Sequence, residues 1–425
     1  MLNIWMLNIG ESLPIDGNGS RLMRYGLLAN TLNRLGHRVT WWSSTFDHFR
    51  KRFRDSSDSD ICVNENYNIK ILHSVPYTRN ISLNRWRNHN EIAKKFRLKV
   101  YEEKRPDIIL ASIPTIELAY ESVTYANKYD IPVIVDLRDM WPDIFLNIFP
   151  RGTKKLARLL LNVPFKKMKA ACTNATAIMG ISQEYLDWGL TYAKREQRKS
   201  DIVFPLSCCQ INIDDKEKDM VNAYQYWEKY GLSIHNKDNL IISFIGNFGK
   251  RFEMGTVMKA AKKMGSRFKF VLGGLGEQHE TCKKMAKGLD NVILPGWLDN
   301  YQTAALLKLS TFGLAPYRST PDFTISVPNK PIEYLSYAVP VLSSLKGALE
   351  TLLEKKECGF TYQNNNVDSL VEFLMKISGD PVTLKRMSLN SRKAYEERFL
   401  SETIYHNMAN HLISLVKNNA HVKVF

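Results

Sequence analysis

NLIISFIGNFGKRFEMGTVMKAAKKMGSRFKFVLG, residues Asn239–Gly273, sets a strand, a Gly-containing loop, a helix and a second strand end to end. Asn239–Ile245 is a short apolar run of strand length. Gly246–Gly255 breaks it, Thr256–Met264 carries apolar residues at helical spacing, and Phe268–Gly273 is apolar again. A strand, Gly loop, helix, strand unit is the first move of a doubly wound α/β domain.

The same unit occurs at the N-terminus. Leu2–Ile9 is an apolar strand, GESLPIDGNGSR (Gly10–Arg21) a Gly-rich loop, and a helical segment bearing Leu22, Leu28, Leu32 and Leu35 closes at Gly36 before a strand at Val39–Ser43. Further strands are expected at Ile108–Ala111 and Val133–Asp136, each after a proline, with a helix over Ile116–Tyr129. Residues 44–68 are polar and basic with little periodicity, which reads as a mobile excursion. A linker is expected near Val203–Cys209, a polar decoration over Asp214–Asp238, and three closing helices at Val367–Ile377, Val382–Glu397 and Glu402–Lys417. Two successive α/β halves predict two Rossmann-like domains, 1–203 and 204–397, and a C-terminal helix within 398–425 that returns to the first.

Composition agrees with such a chain. Its 425 residues leave room for two large domains, and 44% hydrophobic with 24% charged residues is ordinary for globular proteins. The charge is not ordinary. The formal net charge is +16, of which residues 1–200 hold +11 and residues 201–425 hold +5, so an acidic partner is expected and chiefly on the first half. Cys62, Cys172, Cys208, Cys209, Cys282 and Cys358 lack paired spacing and His companions, which excludes a zinc site or disulfide framework and fits a reducing cytoplasm. Asp58-Ser59-Asp60 matches an Asp-x-Asp metal motif only formally, and no metal is expected. The apolar start lacks the basic flank and length of a signal peptide, and no stretch approaches a membrane span.

Each Gly loop follows a strand and precedes a helix, where backbone N–H groups and the helix dipole favour an anion. Neither spells G-x-G-x-x-G or a Walker motif, which disfavours a dehydrogenase or P-loop NTPase. The most informative segment is STPDFTISVPNKPIEYLSYAVPVLSS, Ser319–Ser344. A loop with Ser326, Val327, Pro328 and Asn329 leads into a helix carrying Lys330 and Glu333, and Pro340 opens a buried strand. Ser326 and Lys330 at a helix N-terminus can hold a diphosphate. Glu333, one turn in, can accept hydrogen bonds from a ribose diol.

This segment resembles the donor-binding segment of GT-B fold glycosyltransferases of family four, notably bacterial O-antigen and capsule enzymes with an SVPxK…EYLxxGxPV pattern. GNFGKRFEMGTVM (Gly246–Met258) is similar to their donor-phosphate loop and helix, which implies donor contacts from Gly246, Asn247, Lys250 and Arg251. VLGGLGEQ (Val271–Gln278) adds Gly274. LPGWLD (Leu294–Asp299) implies Trp297 and Leu298 beside the base. In the first half, the resemblance places Gly17, Gly19 and Arg21 in the cleft and makes Asp139 of DLRDMWPD (Asp136–Asp143) the residue that orients or deprotonates an acceptor hydroxyl. One departure stands out: the family's Glu-x7-Glu would put its first Glu at position 325, and Ile325 is there instead. Sugar contact then falls to Asp322 or the backbone at Ser326 and Val327.

The resemblance implies two Rossmann-like domains facing across a cleft and retaining transfer from a nucleotide-sugar, a UDP-sugar first, with Asp139, Arg21 and Lys250 at the chemistry. It needs no cofactor and no obligatory metal. The implied acceptor is a polyprenyl-diphosphate-linked saccharide of surface polysaccharide synthesis, at the inner face of the cytoplasmic membrane. For the basic excess, Arg50, Lys51, Arg52 and Arg54 with Phe49 and Phe53, then Arg85, Trp86 and Arg87, then Lys166, Lys167 and Lys169, suit docking on an anionic membrane surface better than nucleic acid, for which no motif is present. Rival readings are a non-hydrolysing UDP-sugar 2-epimerase and a non-enzymatic membrane or nucleic-acid adaptor.

Overall fold

A computed structural model describes residues 1–17, 21–147, 149–210, 217–235 and 239–422. The chain divides into two compact units, residues 1–205 with 402–425, and residues 206–401.

The first unit is built on β1 (Asn3–Leu7), β2 (Arg38–Ser44), the short hairpin β3 (Phe46–Asp47) and β4 (Arg52–Phe53), then β5 (Ser59–Asn64), β6 (Tyr67–Leu72), β7 (Ile108–Ile113), β8 (Val133–Leu137), β9 (Ala177–Gly180) and β10 (Ile202–Val203). Its helices are α1 (Arg24–Arg34), α2 (Leu83–Lys99), α3 (Ile116–Lys128), α4 (Lys154–Leu160), α5 (Asn162–Asn174) and α6 (Gln183–Ala193). The main sheet runs β10-β9-β8-β7-β1-β2-β6-β5, parallel except for the edge pair β5–β6. β7 and β8 are buried along their whole length, which only an apolar run between two helical layers can satisfy. Trp5 stacks on Tyr125 at 5.6 Å and meets Trp42 and Phe96 edge-on, an aromatic layer on one face of the sheet.

The excursion expected at residues 44–68 is instead ordered as β3, β4, β5 and the start of β6. Ser59–Asn64 is exposed along most of its length and carries two acidic or amide side chains, so nothing in its composition marks a strand. It is held by backbone pairing to β6, whose buried Tyr67, Ile69 and Ile71 supply the apolar face.

The second unit contains α7 (Glu217–Glu228), β11 (Leu240–Ile245), α8 (Met254–Lys263), β12 (Phe268–Gly273), α9 (His279–Met285), β13 (Val292–Gly296), α10 (Asn300–Leu309), β14 (Phe312–Ala315), α11 (Pro321–Thr324), α12 (Asn329–Ser336), β15 (Val341–Ser343), α13 (Ala348–Lys356), β16 (Gly359–Thr361), α14 (Val367–Ile377) and α15 (Pro381–Arg398). Its sheet is all parallel in the order β13-β12-β11-β14-β15-β16, the order of a Rossmann domain. Asp299 caps α10 through a complete capping box with Gln302, and Asp380 followed by Pro381 starts α15. The chain then returns to the first unit as α16 (Ser401–Val422), whose Tyr405, Met408, Ala409 and Leu412 are buried with Leu28, Leu32 and Trp41. Among the described residues, no helix is long and apolar enough to cross a membrane.

Candidate functional site

In the second unit the strand order reverses between β11 and β14. Their crossovers leave on opposite faces, so a crevice opens at the carboxyl ends of these two strands, where ligands of open α/β sheets bind. Lys330, in the first turn of α12, fills part of it. Its Nζ donates to the carbonyl oxygen of Ile245, the last residue of β11, and lies 4.9 Å from the ring centre of Phe244 and 5.4 Å from that of Phe252. Tyr334, one turn further and buried, bridges the two strands: its hydroxyl donates to Leu314 O (3.0 Å) and accepts from Ile245 N–H (3.3 Å). Gly313 makes room for that ring, since a Cβ there would overlap it. Gly246 has φ +141°, so glycine is required by conformation, and a Cβ on it would push the end of the Lys330 side chain aside.

Two helix N-termini border the crevice, those of α8 and α12. Neither N-cap residue, Glu253 or Pro328, makes a side-chain cap hydrogen bond. First-turn N–H groups and the helix dipole there, with an ammonium beside them, form a seat for an anion. The loop between β11 and α8 is fixed by Gln278, whose Nε2 donates to Gly249 O (2.6 Å) and Phe252 O (3.0 Å). Phe248 N–H donates to Leu275 O at 2.8 Å. Glu253 is buried and meets Arg318 Nε at 3.2 Å, and Arg318 N–H donates to Arg251 O at 2.9 Å.

The sequence-derived second-unit residues fall on this rim in different ways. Gly246, Ser326 and Val327 lie in the crevice-forming loops, Ser326 buried and Val327 partly so, and Lys330 lies in the first turn of α12. Glu333 is partly buried one turn into α12. Asn247 and Arg251 are exposed, and Lys250 is exposed with Glu277 at 3.7 Å. Gly274 has φ +127° and a Cβ there would overlap the Gly246 carbonyl, so it lets the two loops touch. Trp297 is exposed. Leu298 differs from expectation: its side chain is buried in a core cluster with Ile241, Val271 and Ala304 and packs on Gly273, so it is a packing residue and only its backbone remains available to a ligand.

The N-terminal loop of the first unit does not offer the same seat. Glu11 Oε2 accepts from Tyr25 N–H at 2.8 Å, so the α1 N-terminus already holds a carboxylate, and Glu11 also pairs with Arg138. At the α1 N-terminus a buried internal carboxylate thus stands where the sequence allowed an anion, and residues 18–20 of the loop lie outside the described residues. Arg24 forms a buried two-pronged pair with Asp136, both contacts at 3.0 Å, and donates to Phe204 O and Pro205 O. Asp16 accepts from Leu13 N–H and from Arg54 (2.5 and 2.7 Å). Burial opposes its charge, but the Arg54 hydrogen bond outweighs this with Leu13 and Arg50, and its carboxyl stays below the ordinary range. Gly17 is exposed at φ +90°, Arg21 is partly buried, and Gly19 lies outside the described residues. Asp139 is partly buried in the loop after β8. That loop is anchored by Asp143, which accepts from Trp188 Nε1 (3.0 Å) and Tyr192 Oη (2.5 Å). His89 stacks under Trp141 at 5.4 Å, and burial together with Arg85 and His48 drives it well below the usual imidazole range. Asp58 accepts from His73 N–H and pairs with Lys95 and Lys99, and Asp60 pairs with Lys70.

Residues 239–380, the span that holds the Lys330 crevice, match the family model described as Glycosyl transferases group 1. The chain carries a group 1 glycosyltransferase domain. It is an enzyme of the glycosyltransferase class, and its architecture is the GT-B fold. Solved structures similar to this glycosyltransferase over nearly its whole length include sucrose-phosphate synthase from Thermosynechococcus elongatus (16% identity, TM-score 0.73, covering 98% of this chain and 100% of that one). Anabaena Alr3699/HepE in complex with UDP-glucose is another (13%, 0.64, 97% and 100%). WaaG, a glycosyltransferase involved in lipopolysaccharide biosynthesis, is a third (13%, 0.64, 96% and 99%). None of the curated proteins matches the chain.

Several structural residues of the glycosyltransferase domain escape a motif reading. Tyr334 looks like core from its apolar neighbours, and only the strand reversal reveals its two hydrogen bonds. Gln278 and the Glu253–Arg318 pair act on loops distant in sequence. The glycine positions at 246, 274 and 313 were the available signal.

Proposed function

We propose that the crevice at the ends of β11 and β14 binds the diphosphate of a nucleotide-sugar, a UDP-sugar first, and that the enzyme transfers the sugar to a lipid-linked saccharide with retention of anomeric configuration. The observation that carries this reading is Lys330 at the strand reversal, beside two helix N-termini without side-chain caps. The similar Anabaena Alr3699/HepE structures in complex with UDP and with UDP-glucose support the choice of donor. Lys330, Lys250 and Arg251 meet the charge that grows on the departing diphosphate as the bond from the anomeric carbon to its phosphate oxygen breaks. Glu333 accepts hydrogen bonds from the ribose hydroxyls. Asp139 and Arg21 act on the acceptor side, Asp139 holding the hydroxyl whose oxygen forms the new glycosidic bond and whose proton is lost. No metal is assigned a part, since the chain's own cations and helix termini supply the positive charge.

The role proposed is in surface polysaccharide assembly, O-antigen or capsule, with the protein peripheral on the inner face of the cytoplasmic membrane. Support comes from the similar lipopolysaccharide enzyme and from the +11 charge of residues 1–200. Incubation of UDP-sugars with and without a polyprenyl-diphosphate-linked saccharide tests it. Acceptor-dependent release of UDP is expected, and conversion of the donor to an epimer without acceptor would sink the transferase reading.

A further inference from the structure

The basic segments expected to meet a membrane differ in how much charge they present. In the Arg50–Arg54 segment, Arg54 is 7% exposed and spent on Asp16 and Asp47. Lys51 donates to Asn80 and lies over the Tyr77 ring. Arg85 covers Trp141. Lys51, Arg54 and Arg85 are thus engaged within the unit, while Arg50, Arg52 and Arg87 are exposed, as are Phe49 and Phe53.

The region around α4 is different. From Ile144 to Gln183 the sequence contains no acidic residue and seven basic ones: Arg151, Lys154, Lys155, Arg158, Lys166, Lys167 and Lys169. Among the described residues, no carboxylate pairs with Lys154, Lys155, Lys166 or Lys169, and all four are exposed. Between them stand large apolar side chains in solvent: Leu156 (59% exposed), Leu159 (68%), Leu160 (67%) and Val163 (56%). Their spacing is the i, i+3, i+4, i+7 stripe of an amphipathic helix. The side that packs on the unit is supplied by others, Ala157, Pro164, Phe165 and Met168, so the exposed ridge is not needed for the core.

We propose that α4 and the start of α5 are a monotopic docking element, which sinks the ridge of Leu156, Leu159, Leu160 and Val163 into the interface of an anionic bilayer while the flanking lysines meet its phosphates. Charge complementarity chooses the occupant. A second copy would bring like charges against like charges, and a polynucleotide would leave four apolar side chains without use. Lysine and leucine together match a headgroup layer over acyl chains. The proposal deepens the membrane part of the functional reading and does not depend on donor binding.

The test uses the full chain and co-sedimentation with phosphatidylglycerol–phosphatidylcholine vesicles against phosphatidylcholine alone. The wild type is expected to bind the anionic vesicles selectively. The triple variant Leu156→Ser, Leu159→Ser, Leu160→Ser should bind at least about tenfold more weakly, as burial of even one leucine predicts. Lys154→Glu with Lys155→Glu should weaken binding similarly and remove its salt dependence. Because these side chains are exposed, the variants should keep the wild-type melting temperature and UDP affinity. A loss of UDP binding by the wild type itself would count against the donor reading only. Three outcomes overturn the docking proposal: vesicle binding unchanged in the leucine variant, a dimer that the leucine variant dissociates, or binding to a polynucleotide that only the lysine changes abolish.

Discussion

Lys330 reaches from the first turn of α12 to the carbonyl oxygen of Ile245, so a single cation ties the last residue of β11 to the helix on the other side of the strand reversal. Its ammonium is held by that carbonyl and lies over the rings of Phe244 and Phe252. Replacement by alanine should weaken UDP binding about tenfold to a hundredfold, the loss of one charge-assisted contact of about 1.5–3 kcal/mol. Calorimetric titration measures it. Lys330→Arg should recover little, because a planar guanidinium does not fit the point-charge position beside Gly246.

Gly246→Ala tests the space that this lysine occupies. The left-handed backbone and the collision with Nζ should together cost about 1–3 kcal/mol of stability and displace Lys330. A lower urea midpoint with an unchanged m-value, and weaker UDP binding, are the expected results.

Tyr334→Phe keeps the ring against Gly313 and deletes only the hydroxyl that joins Ile245 N–H to Leu314 O. The expected cost is about 1–3 kcal/mol, with the packing intact. Hydrogen exchange should report faster opening at Ile245 and little change at β15.

In the first unit, Arg24→Met leaves Asp136 charged and buried without a partner, and should destabilise by about 3–5 kcal/mol. Adding Asp136→Leu should return much of that loss. Chemical denaturation of the two single variants and the double variant gives the coupling.

The buried His89 makes the first unit sensitive to acid. Its folded pKa is depressed and the unfolded one is near the ordinary 6.5, so as pH falls through that value the unfolded chain gains a proton that the folded chain refuses. Stability from this group is therefore present above pH 6.5 and lost below it. The groups facing it are Arg85, His48 and Glu117. Burial raises Glu117 above the ordinary glutamate range, which acts in the opposite sense at lower pH. His89→Phe should flatten the melting-temperature profile between about pH 7 and pH 5.

The second unit was largely legible in the sequence because β11, β12 and the terminal helices are uninterrupted apolar or amphipathic patterns, and the loop between β11 and α8 is punctuated by glycine. β5 was not legible, since its side chains are polar and its order comes from pairing with β6. Lys330 and Gly246 could be chosen singly, but their mutual dependence exists only once α12 folds back over β11. Leu298 misled because LPGWLD marks a turn without saying which of two adjacent side chains turns inward. Glu11 was unreadable as a cap, because its partners Tyr25 and Arg138 lie in other parts of the chain.

The central claim is that the Lys330 crevice is the nucleotide-diphosphate site. It is tested most directly by calorimetric titration of UDP into the wild type, Lys330→Ala and Glu333→Ala, with melting temperatures confirming that each is folded. The account predicts saturable one-site binding to the wild type that is at least about tenfold weaker in both variants. Binding of equal affinity to all three folded proteins would contradict it.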